Sequence, residues 1–169
     1  MREVSVRTRI AVIGVGNEFR HDDGVGQAVI ARLRERADTR PLPTGTVLAT
    51  CDGDPARLIG LWEGAALAVV VDAAHAHPAR PGRVHRLALD EGLPDRPPTT
   101  SSHGLGLGEA VELARILGRL PGRLVVYGVE GADSSLGIGL STRVEATVEP
   151  LAGDIEDEVA RQGGVGACG

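Results

Sequence analysis

The sequence predicts an α/β domain with three layers, in which a mostly parallel, twisted sheet of about five strands carries helices on both faces. Short runs of Val, Ile, Leu and Ala alternate along the chain with segments whose apolar residues repeat at helical spacing. Aromatic residues make up only 2% of the 169 residues, so aliphatic side chains must fill the core. That composition is typical of strands buried on both faces. We expect one domain over residues 1–162 and a disordered tail over 163–169.

The chain begins with a predicted strand–loop–helix unit. Residues 9–14 contain the apolar run IAVI and end in glycine, as buried parallel strands often do. A loop over residues 15–22 follows. One apolar face of the next helix is marked by Val25, Ala28, Val29, Leu33 and Ala37.

The next two predicted strands cover residues 46–51 and 66–71, and Asp72 ends the second of them. Between these strands, Asp54 and Pro55 are typical of the N-cap and first residue of a helix. Parallel strands would bring the loops that follow them to one edge of the sheet.

Residues 83–89 alternate in polarity and predict a strand at or near the sheet edge. Residues 90–102 contain three prolines and predict a long loop that ends with residues typical of a helix start. The helix after it is marked by Leu107, Val111, Leu113, Ala114 and Leu117.

The last elements are a buried strand over residues 123–129, a glycine-rich loop over 131–139 and a final amphipathic helix. Pro150 lies inside that helix and should bend it or delay its start. The apolar stripe of the helix consists of Val144, Val148, Leu151, Ile155 and Val159.

Composition excludes several classes of function. The net charge is −5, there is no basic run and aromatic side chains are scarce, so we expect no nucleic-acid partner. No apolar run approaches the length of about 20 residues that spans a bilayer, so we expect no membrane association. Two cysteines, Cys51 and Cys168, provide no disulfide framework. We therefore expect a cytoplasmic protein, most simply a monomer.

Polar side chains follow several predicted elements where this architecture places active sites. Asn17, Asp22 and Asp23 follow the first strand, Asp72 follows the third, and His103 precedes a helix after the long loop. The carboxyl ends of parallel strands meet at one edge of the sheet. Two carboxylates and one imidazole can bind a divalent metal ion and leave positions open for other ligands.

Each of these residues also has a structural interpretation. Asp22 or Asp23 could cap the following helix, Asp72 could belong to a turn, and a single histidine such as His103 is often structural. Their joint placement at strand ends is the stronger argument for a site.

The other histidines are open. His75 and His77 lie close to Asp72 in the sequence and could be additional ligands, although solvated or supporting roles are commoner. His85 is interpreted in the same way, and His21 is ambiguous beside Asp22.

Common nucleotide and nucleophile motifs are absent. The run GVG at residues 14–16 resembles the start of a dinucleotide fingerprint, but Phe19 occupies the place of the third glycine. The carboxylates of Asp22 and Asp23 would also repel a pyrophosphate. The sequence contains neither G-x-x-x-x-G-K-[ST] nor G-x-S-x-G.

Residues 14–26, GVGNEFRHDDGVG, resemble the N-terminal signature of the hydrogenase-maturation endopeptidases, which is G-x-G-N, four variable residues and D-[DE]-G-x-G. One departure is Asp54, where the family commonly has a second glycine. The resemblance extends over nearly the whole chain, through residues 51–53, 69–73, 102–105, 128–130 and 139–141.

This resemblance implies an endopeptidase that removes a C-terminal extension from the large-subunit precursor of a nickel–iron hydrogenase after nickel insertion. The metal-binding residues of the family fall on Asp23, Asp72 and His103, and the two carboxylates are also candidates for activating water. The nickel would arrive with the substrate, and zinc or cadmium could replace it in vitro. The supporting residues implied are Asn17, Asp22, Asp52 and Gly53.

Two rival hypotheses remain at this stage. One is a germination-type protease of spores, which shares the sheet architecture. The other is a non-enzymatic nickel-binding chaperone that uses the same three ligands. Processing of a precursor separates the endopeptidase from the chaperone.

Overall fold

Five strands form one sheet in the computed structural model, which describes residues 9–90 and 106–165. The strand order is β2-β1-β3-β5-β4. All neighbours pair in parallel except β4, which lies antiparallel to β5 at one edge. The predicted sheet and its edge strand are confirmed. The strands are β1 (Ile10–Val15), β2 (Thr46–Cys51), β3 (Leu67–Ala74), β4 (Val84–Asp90) and β5 (Arg123–Glu130).

Helices cover both faces of the sheet, as predicted. The first and fourth helices pack against each other on one face, and the second and third do so on the other. No helix within the described ranges is both long and apolar enough to cross a membrane. The helices are α1 (Val25–Ala37), α2 (Pro55–Trp62), α3 (Gly106–Leu117) and α4 (Thr142–Val165).

Alternation along the central strands divides the core into two clusters. In β1, Ile10 and Val12 belong to the cluster under α1 and α4, whereas Ala11 and Ile13 belong to the cluster under α2 and α3. Successive side chains of a strand point to opposite faces, so a strand covered on both sides must be apolar throughout. The short aliphatic runs of the sequence meet that requirement.

Two glycines allow α1 to approach the sheet closely. A Cβ atom on Gly14 would lie 2.3 Å from the carbonyl oxygen of Gly26, and one on Gly26 would lie 2.7 Å from that of Val71. Any larger residue would push the helix away from β1 and β3. The short 3-10 helix His21–Gly24 leads directly into α1, so this close packing also brings Asp22 and Asp23 to the carboxyl edge of the sheet.

The predicted helix start at Asp54 is confirmed. Asp54 is the N-cap of α2, its side chain accepts a hydrogen bond from Ala56 N at 3.3 Å, and Pro55 follows as the first helical residue. Its φ of −59° is ordinary for any amino acid, so this turn does not require a second glycine at that place.

Some boundaries differ from the predictions. Strand β3 continues to Ala74, so Asp72 lies inside the strand, because β5 provides pairing partners as far as Glu130. Helix α4 begins at Thr142, so Pro150 does not delay its start. The same helix extends to Val165, past the predicted start of the tail at residue 163. His103 and most of the predicted loop over 90–102 lie outside the described residues.

Candidate active site at the carboxyl edge of the sheet

Asp72 is a buried carboxylate that accepts one hydrogen bond from the described residues. Only 7% of the residue is exposed, and its Oδ1 accepts a hydrogen bond from Ala73 N at 2.8 Å. Burial, and secondly the nearby negative charge of Asp23, raise the pKa of Asp72 to about 7 against the opposing effect of that hydrogen bond. Two of the three predicted ligands are therefore close enough for their charges to interact. Binding of a proton or a cation would relieve this repulsion.

Asp23 is held in this pair by the loop that follows β1. Its Oδ2 accepts a hydrogen bond from Asn17 N at 2.9 Å, and Asn17 Oδ1 in turn accepts one from Phe19 N at 2.9 Å. Asn17 therefore shapes the loop and binds the carboxylate of Asp23. The N-cap of α1 is Gly24, and no side chain caps this helix. The interpretation that Asp22 or Asp23 caps the helix is therefore wrong.

Asp22 accepts hydrogen bonds from a second loop, the one that follows β5. Its Oδ2 accepts hydrogen bonds from Ala132 N at 2.8 Å and Asp133 N at 3.0 Å. Ser141 adds two more, from its N to Oδ1 at 2.7 Å and from its Oγ to Oδ2 at 2.9 Å. The residue is only 2% exposed. Burial alone would raise its pKa, but these hydrogen bonds outweigh burial and hold the pKa of Asp22 below its ordinary value.

Asp52 and Gly53 form the turn after β2, on the far side of β1 from Asp72. Asp52 Oδ1 accepts a hydrogen bond from Asp54 N at 3.2 Å, and Gly53 has a φ of +98°, which favours glycine. Both residues shape the sheet edge next to the first loop.

A cavity of about 310 Å³ opens beside Asp23. It lies between the segment that follows β3 and the loop that follows β5, and it brings His75 and His77 to the site as wall residues. The lining consists of Asp22, Asp23, Ala73, His75, Ala76, His77, Ala79, Gly131, Ala132, Asp133 and Ser134.

His21 connects the two loops that Asp22 joins. It has a positive φ of 44°, which is uncommon for a non-glycine residue, and its Nδ1 lies 3.0 Å from Gly139 O. Its backbone N donates to Gly137 O at 2.9 Å. His21 is therefore part of the loop scaffold.

Glu130 is a site-edge residue that sequence reasoning missed. It ends β5 at 2% exposure, and its carboxylate accepts hydrogen bonds from Arg80 N at 3.0 Å and His85 Nε2 at 2.7 Å. These contacts lower the pKa of Glu130 and fasten the segment after β3, which carries His75 and His77. A signal for Glu130 is present in the sequence, because a carboxylate that ends a buried strand needs a partner.

The described residues supply part of the predicted metal site. Asp23 is close enough to Asp72 for its charge to raise the pKa of Asp72, and His103 lies outside the described ranges. Within residues 9–90 and 106–165, no three His, Cys, Asp or Glu side chains form a group that could hold a metal ion. His75 and His77 are therefore not seen completing a metal site with the two carboxylates.

Comparison with known proteins decides the family. The sequence matches the hydrogenase maturation protease family, HycI, over residues 45–158. The chain belongs to this family. Membership confirms the resemblance that began at residues 14–26 and makes the protein an endopeptidase, and so a hydrolase, that acts in hydrogenase maturation. It also favours the enzyme over a non-enzymatic chaperone.

Individual relatives agree with this assignment. The chain is 30% identical over 145 residues to hydrogenase 2 maturation protease of Escherichia coli K12, covering 84% of this chain and 85% of that protein. The structure resembles that of the hydrogenase maturating endopeptidase HybD from E. coli, with a TM-score of 0.71, 28% identity and coverage of 92% and 94%. HybD from Thermococcus kodakarensis shares the fold, with a TM-score of 0.69, 23% identity and coverage of 89% and 99%.

Proposed function

We propose that this protein removes the C-terminal extension of a [NiFe]-hydrogenase large-subunit precursor and recognises the nickel already bound in that precursor. The observation that carries the proposal is the pair of carboxylates at the carboxyl edge of the sheet: Asp72 is buried and close enough to Asp23 for the charge of Asp23 to raise its pKa, and Asp23 lines the cavity. The raised pKa of Asp72, about 7, means that its ionised form lacks compensating positive charge, so a bound cation would stabilise that form.

The donor set suits a metal ion that arrives with other ligands attached. Two carboxylates and the imidazole of His103 leave coordination positions open. Soft thiolates of the precursor would fill them, so affinity depends on the substrate as well as on this chain. Zinc or cadmium could take the place of nickel in vitro, since both accept the same donors.

Nickel binding would act mainly by position. Metal held jointly by precursor and enzyme places the scissile peptide bond beside the site, which makes attack effectively intramolecular. For hydrolysis we propose a water molecule activated by Asp23 or Asp72 as general base. The water oxygen bonds to the scissile carbonyl carbon, the carbon–nitrogen bond breaks, and the proton taken from water passes to the leaving amine. The enzyme would then be of the aspartyl type.

The test is incubation of the purified protein with nickel-loaded and nickel-free large-subunit precursors, followed by intact-mass measurement. We expect one cleavage near the C-terminus, with nickel only. Asp23→Asn, Asp72→Asn and His103→Ala should each reduce the rate by about 100-fold or more, because each removes a group that positions or activates the reactants.

Asp54→Asn is the matched control, since this carboxylate caps α2 and makes no contact with the cavity. It should process the precursor normally. Normal cleavage by all three site variants would refute the assignment of the site, and equal cleavage with and without nickel would refute nickel recognition. Zinc that stays tightly bound through purification would indicate an ordinary metalloprotease instead.

We further propose that the enzyme acts in the cytoplasm as a monomer, without nucleic-acid or membrane partners. The net charge of −5 and the lack of basic runs support this. The substrate would then meet the enzyme as a folded precursor with an accessible C-terminus.

A further inference from the structure

Three large apolar side chains are exposed beside the cavity. Phe19 is 57% exposed, Leu136 is 76% exposed and Ile138 is 79% exposed. Phe19 belongs to the loop that carries Asp23. Leu136 and Ile138 belong to the loop whose Asp133 and Ser134 line the cavity. We call these three side chains the apolar rim.

The backbone holds the two parts of the rim together. Gly137 lies between Leu136 and Ile138, and its N donates to Phe19 O at 2.8 Å. Arg20, the residue after Phe19 in the first loop, forms a parallel β-bridge with Gly137. The rim is therefore one surface formed by paired backbones, although its members lie more than a hundred residues apart in the sequence.

Hydrogen bonds also hold the loop that carries Leu136 and Ile138 in place. The four hydrogen bonds that Asp22 accepts from residues 132, 133 and 141 fix both ends of the second loop against the first. A preorganised surface loses little conformational entropy when a partner binds. Large apolar side chains held in water in this way mark an interaction site more often than isolated exposed residues do.

We propose that the apolar rim binds a segment of the polypeptide substrate close to the scissile bond, through large apolar side chains of that segment. This inference rests on the proposed function. An endopeptidase must hold the chain beside the bond it cuts, and the loop that carries Leu136 and Ile138 also supplies Asp133 and Ser134 to the cavity wall. A membrane is a poorer occupant, because the two loops that carry the rim also bear the carboxylates of Asp23 and Asp133, which anionic lipid would repel.

The test compares the double variant Leu136→Ser/Ile138→Ser with the control Ile116→Ser/Leu117→Ser on α3. The control side chains are 78% and 50% exposed and make no contact with the cavity. The probe is the nickel-loaded precursor that the wild-type protein cleaves. We expect the rim variant to raise KM by about 10-fold or more with kcat unchanged within about 3-fold, since it removes binding present in both ground and transition states. The control should leave both constants unchanged.

Four results are distinguishable. A raised KM for the rim variant alone supports the proposal. Normal KM in both variants, with a wild-type protein that cleaves the precursor, overturns the rim and leaves the proposed function intact. Normal KM together with loss of a dimer in sedimentation assigns the rim to a second copy of this chain and also overturns the proposal. Failure of the wild-type protein to cleave any precursor overturns both inferences.

Discussion

Asp22 and Asp72 lie at the same edge of the sheet and are buried to a similar degree, at 2% and 7% exposure, yet their environments are opposite. Asp22 accepts four hydrogen bonds, and its pKa lies below the ordinary value. Asp72 accepts one from its neighbour Ala73 and faces the charge of Asp23, and its pKa is about 7. Burial by itself therefore does not distinguish a structural carboxylate from a reactive one.

The difference lies in which groups compensate the negative charge of each carboxylate. The chain itself satisfies Asp22, so that residue stabilises the fold in its ionised form. Among the described residues, Asp72 accepts only the hydrogen bond from Ala73 N, and we propose that a cation carried by the substrate balances its charge. The comparison predicts opposite effects on stability and opposite pH dependence for the two residues.

The largest expected effect on stability is that of Asp22→Ala. It would leave several backbone N–H groups of the second loop without their acceptor and should lower the free energy of unfolding at pH 7 by about 3–5 kcal/mol. Denaturant unfolding monitored by circular dichroism measures this. Because the folded pKa is depressed, the contribution of Asp22 is present above about pH 4 and is lost as pH falls through the folded pKa.

The control for Asp22→Ala is Asp133→Ala in the same loop. Asp133 is exposed, and its carboxylate accepts hydrogen bonds only from Ser135 among the described residues. It should change stability far less. Equal effects of the two substitutions would mean that Asp22 does not fasten the loop.

The second effect has the opposite sign, since Asp72→Asn should make the metal-free protein more stable. Moving the pKa from 3.8 to about 7 corresponds to a penalty of at most about 4 kcal/mol. The folded state binds the proton more tightly, so the penalty is absent below about pH 4, grows as pH rises and is complete above about pH 7.

Thermal unfolding of wild type and Asp72→Asn at pH 4 and pH 8 measures this difference. The gain in Tm should appear at pH 8 and vanish at pH 4. Asp54→Asn, which removes a carboxylate at the α2 N-cap, should show no such gain. A destabilised Asp72→Asn protein at pH 8 would contradict the comparison.

The smallest effect is expected for Glu130→Gln, which resembles Asp22 in having its carboxylate satisfied by the chain. Gln keeps one acceptor oxygen but loses the charge beside His85 and Arg83, so stability at pH 7 should fall by about 1 kcal/mol. Because the pKa of Glu130 is lowered, this loss should shrink as pH falls below about 4. Chemical unfolding at pH 3.5 and pH 7 tests it, and an equal loss at both values would contradict an ionic role.

Periodicity in the sequence predicted the sheet and its helices because local patterns carry that information. The aliphatic run of β1 and the capping residues Asp54 and Pro55 depend on near neighbours and were predicted correctly. The end of β3 was misplaced because pairing with β5, a distant segment, extends the strand past Asp72. The alternative in which Pro150 delays the start of α4 is wrong for a similar reason, since packing of α4 against α1 stabilises a helix that continues through this residue.

The sequence by itself determined the fold class, the family signature at residues 14–26 and the expectation that Asp23 and Asp72 lie at one sheet edge. Only the tertiary structure decided that neighbouring Asp22 and Asp23 have different roles. The Asp22 side chain accepts hydrogen bonds from the amides of a loop more than a hundred residues away, whereas the charge of Asp23 acts on Asp72. No local pattern encodes that choice, because a carboxylate's charge state and role depend on the donors and charges that folding brings to it.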